Sequence, residues 1–234
     1  MSVYYSDDRV TLHLGDALDV LPTLTAGTID HVVTDPPYIL QAGSSARRGS
    51  KTGGWADMMN ASYWYAEWYR QCSRTLKHTS SLWTFGNWRT IPVMMRAAID
   101  SDLAAASLLV WDKDWIGPAG PQQLRSQHEV CLVLAREGFK LPDRSQGDVL
   151  RVKVGSYKPT GHPAEKPARL FRRIVELTGC PPGGLVLDPF AGSGTTGVAA
   201  KLAGVRSVLI ESEERWCEVA ARRLSQDVLA DEPA

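Results

Sequence analysis

Leu185-Val186-Leu187-Asp188 runs without a break into Pro189-Phe190-Ala191-Gly192-Ser193-Gly194-Thr195-Thr196-Gly197. A short apolar strand that meets glycines spaced G-x-G-x-x-G turns sharply, and the residues after the turn read as a helix. A second apolar strand, Ser207–Ile210, follows, and Glu211 stands at its end, 19 residues after Gly192. Strand, glycine turn, helix, strand and acid together specify a parallel βαβ unit that holds a nucleotide. A carboxylate at that last position can accept both hydroxyls of a ribose.

The charges around the turn narrow the nucleotide. Asp188, beside the glycines, would repel a pyrophosphate and attract an ammonium. S-adenosylmethionine combines a ribose and an ammonium with no phosphate, and its carboxylate can sit at the helix N-terminus near Thr195 and Thr196. NAD, whose pyrophosphate would face Asp188, is one alternative; a purely structural glycine turn is another.

The second informative stretch is Thr34-Asp35-Pro36-Pro37-Tyr38, which ends the apolar strand Ile29–Thr34. Two prolines stop a strand because neither can donate to a sheet ladder. The corner presents one carboxylate, bare carbonyls and one ring, so it offers acceptors only. An amino group that must donate two hydrogen bonds suits it, and the exocyclic NH2 of adenine or cytosine is such a group. Tyr38 can stack on the ring of that base. The plain alternative is a strand-ending turn, which Asp-Pro commonly makes.

The chain of 234 residues is long enough for one large α/β domain. Its net charge is zero, so composition alone does not announce a nucleic-acid binder. The charge is uneven, however: residues 1–35 carry one base and six acids, and residues 125–173 carry eleven bases and five acids. Such asymmetry fits one anion-facing side, or an ordinary solvated surface. Cys72, Cys131, Cys180 and Cys217 are far apart and show no metal spacing, which reads as reduced cytosolic thiols. No signal peptide or membrane-spanning apolar run is present in the sequence.

Periodicity predicts further strands at Val10–Leu14, Ser81–Phe85, Ser107–Trp111 and Glu129–Ala135. It predicts helices at Ser62–Lys77, Thr90–Ser101 and Ala168–Thr178, and a short helix or turn at Asp16–Leu24. The aromatic stripe Trp64, Tyr65, Trp68 and Tyr69 reads as core packing. Residues 39–60, rich in Gly, Ser, Arg and Lys, read as a mobile loop. Strands alternating with helices predict a mainly parallel sheet. His13, His31 and His78 show no partner spacing and read as structural.

Asp35-Pro36-Pro37-Tyr38 followed by Asp188-Pro189-Phe190-Ala191-Gly192-Ser193-Gly194-Thr195 resembles the paired motifs of the beta-class DNA amino-methyltransferases, the N6-adenine and N4-cytosine enzymes. Gly15-Asp16 is similar to the family segment that touches the cofactor's adenine. His162-Pro163-Ala164-Glu165-Lys166-Pro167 is similar to the segment beside its methionine moiety. Ser81–Asn87, His128-Glu129 and Ser207–Leu224 also have family counterparts.

The resemblance implies a circularly permuted Rossmann-like S-adenosylmethionine-dependent methyltransferase fold, with a mostly parallel seven-stranded sheet in a single domain. It implies Asp35, Pro36, Pro37 and Tyr38 as the catalytic motif. Asp16, Asp35, His162, Lys166, Asp188, Phe190, Gly192, Gly194, Thr195, Thr196 and Glu211 are then the cofactor site. The activity implied is methyl transfer to the N6 of adenine in double-stranded DNA after base flipping, without a metal. N4 of cytosine is the near alternative; a NAD-dependent oxidoreductase and a DNA-binding module without catalysis are remoter ones.

Arg47, Arg48, Lys51, Arg144, Arg151, Lys153 and Lys158 are candidate phosphate contacts. The target-recognition segment, about 136–161, is short, and no separate recognition domain is expected. A homodimer and a cognate restriction endonuclease are further candidate partners, and the expected location is cytoplasmic. C5-cytosine chemistry needs a Pro-Cys nucleophile, whereas the pair here is Cys180-Pro181, read as a loop thiol.

Overall fold

Short apolar runs cut off by glycine, proline or aspartate become the strands of this protein. A computed structural model describes residues 2–38, 55–119, 121, 124–154, 160–162 and 164–226, with the side chains of 55–58 left aside. In chain order the strands are β1 (Ser2–Ser6), β2 (Val10–Leu14), β3 (Ile29–Thr34), β4 (Leu76–Gly86), β5 (Ala104–Asp112), β6 (His128–Ala135), β7 (Val149–Arg151), β8 (Leu185–Asp188) and β9 (Arg206–Glu211). The helices are α1 (Ala17–Val20), α2 (Trp55–Thr75), α3 (Ile91–Ala98), α4 (Ala168–Thr178), α5 (Thr195–Leu202) and α6 (Glu214–Ser225).

The strands form one sheet in the order β1-β2-β9-β8-β3-β4-β6-β5-β7. Only β1 and β6 run against the rest. The two cofactor-motif strands, last in sequence, thus lie centrally, beside β3. The seven strands expected from the sequence are all present, but the sheet has nine. The additional two are edge strands. β1 pairs antiparallel with β2, and the three-residue β7 pairs with the end of β5. Neither is long enough to show a period of two against its polar neighbours.

Alternation splits the core between two layers of helices. Val32 and Leu187 face the layer of α1, α2 and α3, while Val33 and Val186 face that of α4 and α5. Helix α4 turns Leu170, Phe171, Ile174, Val175 and Leu177 inward, and ends at Gly179 with φ +73°. That left-handed residue is one glycine adopts without strain. Helix α2 buries Tyr65, Trp68, Tyr69 and Cys72 completely, as the stripe predicts. It begins at Trp55, so the C-terminal end of the expected 39–60 loop is helical instead. Residues 39–54 lie outside the described residues. Among the described residues no helix is long and apolar enough to cross a membrane.

Gly197 sits where α5, β9 and α6 touch. A Cβ there would lie 2.8 Å from both Leu209 Cδ1 and Leu224 Cδ2. Gly197→Val therefore overpacks the contact and should destabilise the protein by about 2–3 kcal/mol. Gly147→Ala, where nothing lies within 4 Å of the added carbon, is the control. Urea midpoints should fall for the first variant only. Equal midpoints would show that α6 yields freely and that the glycine is not a packing requirement.

Candidate active site

The sheet order brings the two motifs together. β3 and β8 pair in parallel through His31↔Val186 and Val32↔Leu187. Both corners therefore leave the same edge of the sheet, where parallel strands end and ligands are ordinarily bound. A buried hydrogen bond joins them: Thr34 Oγ1 donates to Asp188 Oδ1 at 2.6 Å. The Phe190 N–H donates to the same oxygen at 3.0 Å, and Thr196 Oγ1 donates to Oδ2. Asp188 is only 2% exposed. Burial pushes its carboxyl up to about 6, against the three donors that favour the ionised form. Asp188 is thus committed to tying β3, the glycine turn and α5 together, rather than standing open as a charge.

The glycine turn is built as its sequence demands. Gly192 and Gly194 have φ of +52° and +81°. The Gly192 N–H donates to Glu211 Oε2 at 2.8 Å, and the Glu213 N–H to Glu211 Oε1 at 2.8 Å. Glu211 pairs with Leu14, and the Gly15 N–H donates to its carbonyl at 2.9 Å. That register sets Asp16 beside Glu211, where its Oδ1 caps α1 through the Leu18 N–H at 2.8 Å.

From the other side, His162 lies against Gly192. A Cβ on Gly192 would come 3.4 Å from His162 Nε2. The imidazole also packs edge-on against Trp216, with centroids 4.3 Å apart. Arg223 joins Glu165 at 3.3 Å to Thr195 Oγ1 at 3.2 Å, fastening the 160–166 segment to the turn. Phe190 is braced by Trp64 and Trp68, each with a centroid 5.3 Å away. Asp16, His162, Phe190, Gly192, Gly194, Thr195, Thr196 and Glu211 thus gather at one place, as expected.

Lys166 is the exception. Its Nζ lies 2.5 Å from Asp35 Oδ2 and 3.2 Å from Glu129 Oε2. Tyr38 donates its hydroxyl to Glu129 Oε2 at 2.9 Å, and Lys113 Nζ approaches Glu129 Oε1 at 3.4 Å. Tyr65 donates to the Pro37 carbonyl at 3.4 Å, holding the corner against α2. Asp35 Oδ1 is buried and has no hydrogen-bond partner among the described residues. A buried acceptor left open costs free energy and calls for a donor.

The charges follow from this packing. Burial raises Asp35 above the ordinary carboxylate range; Lys166 opposes that and Glu129 adds to it. Burial pushes Glu129 the same way, but Lys166, Lys113 and the Tyr38 hydroxyl outweigh it and hold the acid below its usual range. Lys166 would lose its proton more readily on burial, yet the two carboxylates raise it further. Glu129 and Lys113 were not among the residues expected at the site. Their signal in the sequence was an acid opening an apolar strand and a lysine just past the neighbouring one.

The basic candidates separate. Arg151 and Lys153 follow the end of β7, on the site's edge, where Arg151 Nε meets Asp112 at 2.9 Å. Arg144 does not belong with them. Its neighbour Pro142 packs against Gly179, just before β8 begins, and Gly138 lies 3.3 Å from His78 at the start of β4. Arg144 thus stands at the opposite edge, a correction to its expected role. Arg47, Arg48, Lys51 and Lys158 lie outside the described residues.

One exposed aromatic was missed. Trp88 is 69% exposed on a turn that Asn87 Oδ1 ties by accepting from the Arg89 N–H at 2.9 Å. The Arg89 guanidinium lies 4.9 Å from the centroid of the Trp88 ring. Because Thr34 pairs with Thr84, Trp88 stands just beyond Asp35 on the same edge.

A permuted α/β sheet with an acceptor corner beside a nucleotide turn defines a transferase acting on amino groups. A family model described as DNA methylase, that of the N6/N4 methyltransferases, matches residues 29–222. The chain belongs to this family of DNA methyltransferases. It is 30% identical over 211 residues to YubD of Escherichia coli K12, covering 90% of this chain and 88% of that one. It is 27% identical over 245 residues to the type II methyltransferase M2.MboI of Moraxella bovis, covering 94% and 89%.

Among solved structures, the PvuII DNA methyltransferase (cytosine-N4-specific) superposes with a TM-score of 0.79 at 17% identity, covering 97% of this chain and 90% of that one. A DNA modification methylase of Thermus thermophilus, named from its sequence and solved in complex with S-adenosyl-L-methionine, gives 0.71 at 21% identity, covering 94% and 95%. These two likenesses confirm the fold.

The buried carboxyl of Asp188 makes a pH prediction. Its folded value, about 6, lies above the ordinary 3.8, so it favours the protonated form. Its contribution to stability is full below that ordinary value and is lost as pH rises through the folded one. Asp188→Asn keeps acceptors for Thr34 and Phe190 but cannot titrate. Between about pH 4 and pH 7 the variant should gain about 3 kcal/mol on the parent. Urea melts at both pH values measure this; parallel curves would contradict the burial account.

Proposed function

We propose that this protein transfers a methyl group from S-adenosylmethionine to the exocyclic N6 of adenine in double-stranded DNA, at a specific sequence. The observation that carries this reading is the open, buried Oδ1 of Asp35, beside an anchored aromatic ring and next to the glycine turn. The residues around the turn fit the cofactor. Two glycines without Cβ let a ligand approach the backbone, and Glu211 keeps lone pairs for ribose hydroxyls. Asp16, Phe190 and His162 border the same place, and the N–H groups that open α5 suit a carboxylate. Asp188 supports the turn from beneath. When bound, S-adenosylmethionine supplies an electrophilic methyl on a sulfonium leaving group.

The protein's own part is positioning. The amino nitrogen is a poor nucleophile because its lone pair is delocalised into the ring. Asp35 Oδ1 and the Pro36 carbonyl accept its two hydrogens and favour a pyramidal nitrogen. As the N–C bond forms, one N–H bond must break, and Asp35, raised by burial, suits the departing proton. Extruding the base costs a few kcal/mol. Stacking on Tyr38 returns roughly 1–3 kcal/mol, and its ring is already fixed through Glu129. Arg151, Lys153, Arg89 and Trp88 supply contacts to the strand on the same edge. Relatives named type II methyltransferases support a role beside a restriction endonuclease.

Asp at the head of the tetrapeptide favours adenine; cytosine N4 offers the same two donors. Expression in a host without DNA methylation, followed by sequencing that detects modified bases, separates them. N6-methyladenine at one short sequence is expected. N4-methylcytosine would replace adenine by cytosine, and unmodified DNA would overturn the reading. Asp35→Ala should slow single-turnover transfer by at least about 10²–10³, while cofactor affinity measured by calorimetry changes much less. A variant with the parent's rate would remove Asp35 from the chemistry.

A further inference from the structure

The resemblance places Lys166 beside the cofactor's methionine, but the structure gives its ammonium other work. Nζ meets Asp35 Oδ2 at 2.5 Å and Glu129 Oε2 at 3.2 Å. It also lies 5.4 Å and 5.8 Å from the ring centroids of Tyr38 and Phe85. The Lys166 side chain is 10% exposed and that of Asp35 17%. We propose that Lys166 and Glu129 are positioning residues for methyl transfer: Lys166 pins Oδ2 of Asp35, Glu129 holds Lys166 in place, and Oδ1 is left as the acceptor that meets the target amino group. This rests on the DNA methyltransferase reading and adds to it how the carboxylate is aimed.

Three observations carry the inference. First, the two oxygens of Asp35 are unlike: one is gripped, and the other is buried without a partner. An unpinned carboxylate turns about its last bond and blurs that difference. Second, the clamp is a lysine. An ammonium is a compact charge that can take one oxygen, whereas a guanidinium fork reaches for both. Third, Glu129 is itself fixed by Tyr38 at 2.9 Å and Lys113 at 3.4 Å. The catalytic ring and the clamp therefore share one anchor.

The same arrangement sets a charge balance with opposite signs on its two members. Asp35 accepts from the amino group only when ionised. The groups facing it are Lys166 from the segment before α4, Glu129 and Cys131 from β6, Tyr38 from the corner, Tyr65 from α2 and Asp188 from β8. Among them Lys166 supplies the positive charge that opposes burial. Removing it should move the acid limb of the reaction to higher pH. Removing the charge of Glu129 leaves Lys166 wholly to Asp35 and should move that limb to lower pH. A residue that merely holds the fold would not give shifts of opposite sign.

The test is the pH profile of single-turnover methyl transfer to DNA by the parent, Lys166→Met and Glu129→Gln. Calorimetric titration with S-adenosylmethionine and thermal melts are run alongside. Lys166→Met should lose at least about tenfold near neutral pH and recover as pH rises, with its cofactor affinity retained. Glu129→Gln should shift the acid limb downward. Unmoved limbs in a folded Lys166→Met would overturn the proposal. So would a loss of cofactor affinity in step with rate, which returns Lys166 to the cofactor site. If Lys166→Met does not fold, Glu129→Gln decides: a limb unmoved or moved upward overturns it. A parent that methylates no DNA overturns the functional reading and this inference together; an active parent with unmoved limbs overturns the positioning roles alone.

Discussion

The hydrogen bond from Thr34 to Asp188 joins positions 154 residues apart, and the site depends on it. It exists because β3 and β8 are neighbours in the sheet, which places the acceptor corner of one beside the glycine turn of the other. A buried carboxylate with two hydroxyl donors and one backbone donor has its charge shared among fixed partners. The donors come from three elements, β3, the turn and α5, so the bond set also fixes their mutual distance. The site tolerates little slack, because methyl transfer needs the amino group and the donor in line.

Above that bond lies a cluster of four charges: Asp35, Glu129, Lys113 and Lys166. Two acids and two bases cancel, which makes their partial burial tolerable. Burying such a set rarely stabilises a protein more than apolar side chains would. Its value lies in direction. Each charge restricts one rotation of another, and the residue they leave incompletely satisfied is Asp35. The aromatic wall of Trp64, Trp68 and Phe190 does the corresponding work for the turn, by packing instead of charge.

Much of this was legible in the sequence because it is local. Strand β3, strand β8, helix α4 and the glycine turn each carry their signal within a dozen residues, and the structure places them where that signal does. What was not legible depends on which strands become neighbours. Tyr38 and Glu129 are 91 residues apart and meet only because β6 inserts between β4 and β5. Lys166 reads as a cofactor residue from its segment, and only the fold shows it on Asp35. Arg144 reads as a phosphate contact by charge, yet the chain carries it to the edge where the strands begin. β1 and β7 are too short to announce themselves and owe their strand geometry to the neighbour they pair with.

The central claim is that one oxygen of Asp35 receives the target amino group while the other stays with Lys166. A crystal structure of the protein with a cognate DNA duplex and a non-reactive analogue of S-adenosylmethionine tests it directly. The account predicts an extruded adenine over Tyr38, its amino nitrogen within hydrogen-bond distance of Asp35 Oδ1, and Lys166 still on Oδ2. An amino group bound elsewhere, or Lys166 released from Asp35 to the cofactor's carboxylate, would contradict it.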